Sequence, residues 1–358
     1  MKTSKILRGV LVALITVIVG CGDGATTTSS SAPSSSTSTP RTSSTTTTTV
    51  TIVRDDWELV YLDIWDEYDS AQNLGSFPFD YRLGPTVNTA KAEESIAAYE
   101  KAMKLWLARL GGLTIRPIVW AIMSEKDYSW WKDLAEQQEG PDVQYNWDPT
   151  TQMFGHCKLS SRAFCGYGIP YHPGSDEYAL LQYSVIGSEY TDPPSANSVN
   201  HESVHFYQFG VVERFPDDTP CWFIEGQASL YGNVLQYDID SQRSESIGQR
   251  DNFKGIVRQY QPEADSLSSD EWVTVLEHMY PPDVSCGSSQ DYFKYALGMF
   301  NWESLQATYG FDPMHQVLLD FADGATFASA VHERLGITVE DLNELLARHL
   351  VHVFAEGH

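Results

Sequence analysis

The stretch "NSVNHESVHFYQFG", residues 197–210, decides how the chain is read. His201 and His205 stand four apart, and on a helix that spacing puts both rings on one face, one turn from each other. Two imidazoles so placed can reach a single tetrahedral ion. Glu202 lies about a hundred degrees round the same helix, so it flanks the ion without ligating it. There it can take a proton from a water that the metal activates. A polar residue within 195–198 can cap the helix, and Gly210 marks its stop. Two histidines and a base do not close a zinc site, so a third ligand is required.

A second stretch, "TPCWFIEGQASLYG" (219–232), supplies one. Thr219 can cap a helix there, and Pro220 suits its first position. Glu225 follows as the third-ligand candidate. Gly226, inside that helix, costs about 1 kcal/mol relative to alanine. Accepting that cost predicts a close approach of the two metal-bearing helices at this point.

HESVH followed by Glu225 within "WFIEGQA" resembles the gluzincin clan of zinc metallopeptidases, its aminopeptidase and peptidase MA-like branches above all. The resemblance implies that His201, His205 and Glu225 bind Zn2+ and that Glu202 is the general base. Downstream, "YFKYALGMFNWESLQATYG" (292–310) carries Y-x-x-G at Tyr295 and Gly298, which implies an oxyanion-supporting role for Tyr295. Packing within an aromatic-rich helix is the other use open to that tyrosine. Residues 327–350 are similar to the closing helices of peptidase MA-like proteins. No G-x-M-E-N exopeptidase motif occurs, so the choice between endo- and exo-action stays open. The fold implied is α+β, a gluzincin-type two-lobe catalytic domain with a mixed-sheet N-terminal lobe and a mainly helical C-terminal lobe.

The surrounding sequence fits that class. "WELVYLDIW" (57–65) reads as a strand, 89–110 as a helix, and 113–124 as a strand. Residues 125–140 read as a short helix, and 141–175, rich in Gly, Pro and aromatics, as an irregular insertion. A further strand is expected over 177–187, where edge addition of an extended peptide is possible. Nearly everything beyond it has helical periodicity. His156 and His172 fall in the insertion as loop histidines, and the histidines beyond 270 read as structural or solvated.

At the N-terminus Lys2, Lys5 and Arg8 precede the apolar run "LVALITVIVG", which ends at Gly20 and Cys21. The order resembles a bacterial lipoprotein signal, and implies a signal peptide over 1–21 with Cys21 lipidated and an extracytoplasmic, membrane-anchored chain. An ordinary secretion signal with an incidental cysteine is the alternative. Residues 22–50 are mostly Ser, Thr, Pro and Ala and form a disordered tether, since they cannot bury enough apolar surface to fold. The α+β lobe is expected over 51–190 and the helical lobe carrying the zinc site over 191–358.

The net charge is −25, and the folded part is more acidic still, because Lys2, Lys5, Arg8 and Arg41 all lie in the leader and tether. Such a surface repels polynucleotides, so no nucleic-acid partner is expected. Cys157, Cys165, Cys221 and Cys286 remain after Cys21, an even set that suggests two disulfides in an exported protein. Of the three connectivities, proximity in sequence favours Cys157 with Cys165 and Cys221 with Cys286. The sequence carries no signal of oligomeric state. Together these features lead to a membrane-tethered zinc metallohydrolase acting on a peptide or protein substrate. A non-catalytic cell-surface binding lipoprotein on the same scaffold is the competing expectation.

Overall fold

The computed structural model describes residues 57–75, 79–110, 118–124, 126–139, 164–170, 180–186, 196–212, 215–236, 240–280 and 291–355. Cys21, Cys157, Cys286, His156, His172, the leader and the tether lie outside them. The described residues are mostly helical with one small sheet, an α+β composition. They cluster into two compact units. The first holds residues 67–213 and 235–238; the second holds 57–66, 214–234 and the chain from 239 onward. The division therefore falls after 213, and the helix bearing the two histidines goes with the sheet. Among the described residues no helix is long and apolar enough to cross a membrane.

Helix α1 (Trp57–Ala71) replaces the strand expected over 57–65. Its buried positions are Val60, Tyr61, Ile64, Trp65, Tyr68 and Ala71, a 3–4 spacing that a strand cannot present on one face. Leu59 and Leu62 stay exposed on the other side. The β-rich residue types masked that period, and packing overrode propensity.

In the first unit, β1 (Phe79–Leu83), α2 (Thr89–Leu110) and β2 (Ile118–Met123) form a parallel β–α–β crossover. Helix α3 (Tyr128–Glu139) follows, then β3 (Phe164–Pro170) and β4 (Leu180–Ile186). The sheet order is β1-β2-β4-β3, with β4 parallel to β2 and antiparallel to β3. Two expectations change here. A regular strand, β3, occupies part of the stretch read as irregular, with Cys165 opposite Val185 in the register. The strand at 180–186 is paired on both sides, so it offers no edge for an added peptide.

Asp127 fastens the ends of β1 and β2. Its carboxylate accepts from the Ser124 and Thr86 backbone N–H groups at 2.8 and 3.0 Å and from the Thr86 hydroxyl at 2.8 Å. A Cβ on Gly84 would stand 2.4 Å from that carboxylate, which is why glycine sits there. Helix α2 turns Tyr99, Met103 and Trp106 inward, all buried. Tyr99 meets Trp120 of β2 edge-on, with centroids 4.5 Å apart.

Beyond the sheet the chain is helical: α4 (Ala196–Val211), α5 (Cys221–Val234), α6 (Asp240–Tyr260), α7 (Ser269–Glu277), α8 (Asp291–Tyr309), α9 (Phe311–Ala322), α10 (Phe327–Leu335) and α11 (Val339–Ala355). In the second unit four helices meet on one buried charge. Glu303 of α8 accepts from the Arg250 guanidinium of α6 at 2.9 Å and from the Tyr61 hydroxyl of α1 at 3.1 Å. Asn233 of α5 donates to that hydroxyl at 2.9 Å. His349 of α11 stands 3.5 Å from the same carboxylate, and the Trp57 ring lies against the guanidinium at 4.4 Å.

Burial alone would raise the Glu303 carboxyl, but the Arg250 charge and the His349 and Arg250 hydrogen bonds hold it below its usual range. Its charged form therefore stabilises the fold above the ordinary glutamate pKa of about 4.3, and that contribution is lost as pH falls through the folded value. Glu303→Gln leaves Arg250 buried without a counter-charge. It is expected to lower unfolding free energy by about 3 kcal/mol in urea at pH 7. The gap to wild type should narrow steadily below about pH 4.

Candidate metal centre

Helix α4 is buried along its length from Val199 to Gln208, although six of those ten residues are polar or charged. Burying such groups is unfavourable unless they are bonded or used. Asn200 donates to the Ala196 and Leu235 carbonyls at 2.9 and 2.8 Å. Ser203 donates to the Asn200 carbonyl at 2.7 Å and accepts from the Trp106 indole at 2.9 Å. Phe206 and Tyr207 fill the remaining face, Tyr207 stacking on Trp106 with centroids 4.5 Å apart. These contacts fix the rotation of α4 about its axis, and so the direction of its histidines.

His201 and His205 turn their Nε2 atoms toward each other at 3.3 Å, rings edge to face. In a tetrahedral zinc site with Zn–N of about 2.0–2.1 Å, two ligand nitrogens stand about 3.3–3.4 Å apart. The other ring nitrogen of His205, Nδ1, meets Gln208 Oε1 at 2.9 Å. Glu202 is also buried. Burial first, and the Glu202 carboxylate second, push the Tyr99 hydroxyl far above its ordinary range, which places Tyr99 in the electrostatic surroundings of that glutamate.

Glu225 lies on α5, whose residues are buried throughout except Ile224. The helix begins at Cys221, one residue after the Pro220 start expected, and the Thr219 hydroxyl, buried without a hydrogen bond, does not cap it; the Phe223 N–H reaches the Pro220 carbonyl at 2.9 Å to close the first turn. Cys221 is disulfide-bonded; Cys286, its expected partner, is outside the described residues. His201, His205 and Glu225 each offer a ligand atom, all within 4.8 Å of one another and all buried, a group able to hold a metal ion.

Gly226 does mark a close approach, but with a different neighbour from the one expected. A Cβ on it would stand 2.4 Å from the Gly298 carbonyl oxygen of α8, and one on Gly298 would stand 2.6 Å from the Trp222 carbonyl oxygen. The partner helix is thus the one bearing Tyr295, not the one bearing the histidines. The Trp302 indole adds a 2.6 Å hydrogen bond to the Phe223 carbonyl. Tyr295 is buried one turn before Gly298.

Two residues at this site lack any motif in the sequence. Gln208 was legible in principle, since three residues after His205 is the neighbouring position on a helix face. Tyr99 comes from a distant helix and carries no local signal. Of the remaining histidines, His278 Nδ1 meets the Thr274 carbonyl at 2.7 Å and His315 stacks on Phe311, both local helix contacts.

No protein-family model, no curated protein and no solved structure matches this chain.

The glycine contact gives a paired test. Gly226→Ala or Gly298→Ala must push backbone against backbone, and is expected to lower stability by about 2–3 kcal/mol. Gly248 and Gly255 on α6 have open space around them. Alanine at either should instead raise stability by up to about 1 kcal/mol. Thermal melting of the four variants checks both signs.

Proposed function

We propose that the chain is a zinc metallohydrolase of the gluzincin type that hydrolyses peptide bonds, held outside the cytoplasm by an N-terminal lipid on Cys21. The observation that carries the reading is the buried group of His201, His205 and Glu225, with the two Nε2 atoms at a tetrahedral edge distance of 3.3 Å. Two imidazoles and one carboxylate form the donor set of a catalytic zinc with one open position.

Zinc held there supplies a Lewis acid and makes water acidic enough to lose a proton near neutral pH. Glu202, next to His201 on the same helix, takes that proton at its carboxylate and delivers it to the leaving amine. Tyr295 gives a hydrogen bond to the oxyanion as it develops. The acidic surface favours substrates without a strong negative charge, since like-charged chains are repelled on approach.

Glu202→Gln separates an enzyme from a binding scaffold. Glutamine keeps the shape but cannot accept the proton, so zinc should remain at about one ion per chain while cleavage of a peptide library falls by about 10²–10⁴-fold. His201→Ala should remove zinc and cleavage together. Cleavage at the wild-type rate by the Glu202→Gln protein would refute the mechanism.

A further inference from the structure

We infer that Gln208 is a positioning residue that fixes the tautomer of His205, holding its ring proton on Nδ1 so that Nε2 is left as a ligand atom. The inference rests on the zinc reading above, but concerns a residue outside the HExxH motif.

The geometry permits two assignments of the 2.9 Å contact between His205 Nδ1 and the Gln208 side chain. In one, Nδ1–H donates to the amide oxygen and the lone pair is on Nε2. In the other, the amide is turned over, its NH2 donates to Nδ1, and the ring proton must sit on Nε2. The second arrangement blocks ligation, because Nε2 is the atom that faces His201 at 3.3 Å. Only the first lets both histidines present Nε2 to one ion.

Burial makes the choice consequential. Gln208 is 0% exposed and His205 4% exposed. A buried ring nitrogen that loses its partner bears the desolvation penalty of an unsatisfied group. The i, i+3 spacing on α4 supplies the acceptor from the helix itself, so the orientation does not depend on another element closing over it. Partners that orient ligating histidines typically change metal affinity 10–100-fold when removed.

Two experiments on the chain test this. Long-range 1H–15N NMR of the metal-free wild type should show the His205 proton on Nδ1; a proton on Nε2 overturns the inference. Zinc affinity, read by competition with a chromophoric chelator, should weaken about 10–100-fold in Gln208→Met. It should stay within a few-fold of wild type in Gln208→Glu, which keeps an acceptor. Wild-type affinity in Gln208→Met, or equal losses in both variants, overturns the positioning role while leaving the zinc reading intact. A wild-type chain that takes up no zinc overturns both.

Discussion

The backbone contact between Gly226 and Gly298 is the constraint on which the helical unit is organised. A side chain at either position would overlap main-chain atoms of the other helix, and main chain cannot step aside as a flexible side chain can. The contact lies one residue after Glu225 and one turn after Tyr295, so it sets the register between the helices of those two residues. The Trp302 indole bonded to the Phe223 carbonyl resists sliding along the same pair. Farther along these helices, Glu303 binds Arg250, Tyr61 and His349 together, and so ties α1, α6 and α11 to α8. A buried ion pair of this kind adds less to stability than apolar packing would; its effect is to penalise any arrangement that separates the partners.

The helix of the two histidines follows the same logic in its own unit. Ten buried residues, six of them polar, make a poor hydrophobic stripe. Their hydrogen bonds to Trp106, Leu235 and neighbouring carbonyls engage the Ser203 hydroxyl and the Asn200 NH2, while Asn200 Oδ1 stays buried without a hydrogen bond. Burial at such density is what a metal site requires: ligands oriented before the ion arrives, in surroundings that exclude competing water.

Much of this was legible in the sequence, and the exceptions have physical causes. Helix α2 appears over the residues expected, because its strong helix formers and its apolar period agree. His201 and His205 meet because i and i+4 on a helix share one face whatever the tertiary context, whereas Glu225, on another helix, was singled out through the resemblance of its local sequence. The region 57–65 misled because Trp, Val, Tyr and Ile favour strands while their positions follow a helix, and burial decided in favour of position. The placement of β4 inside the sheet depended on β3, whose residues Phe164–Pro170 lie in a Gly- and Pro-rich stretch with no strand alternation. Gly226 announced a close approach but not with which helix, because one glycine carries no address for its neighbour.

Zinc bound by His201, His205 and Glu225 is the proposed working centre of the protein. Zinc K-edge X-ray absorption on the purified chain tests it most directly. The account predicts about one zinc per chain and four nitrogen or oxygen neighbours at about 2.0–2.2 Å, with the outer-shell scattering of two imidazoles. A chain without stoichiometric metal, or a shell containing sulfur at about 2.3 Å, would contradict it.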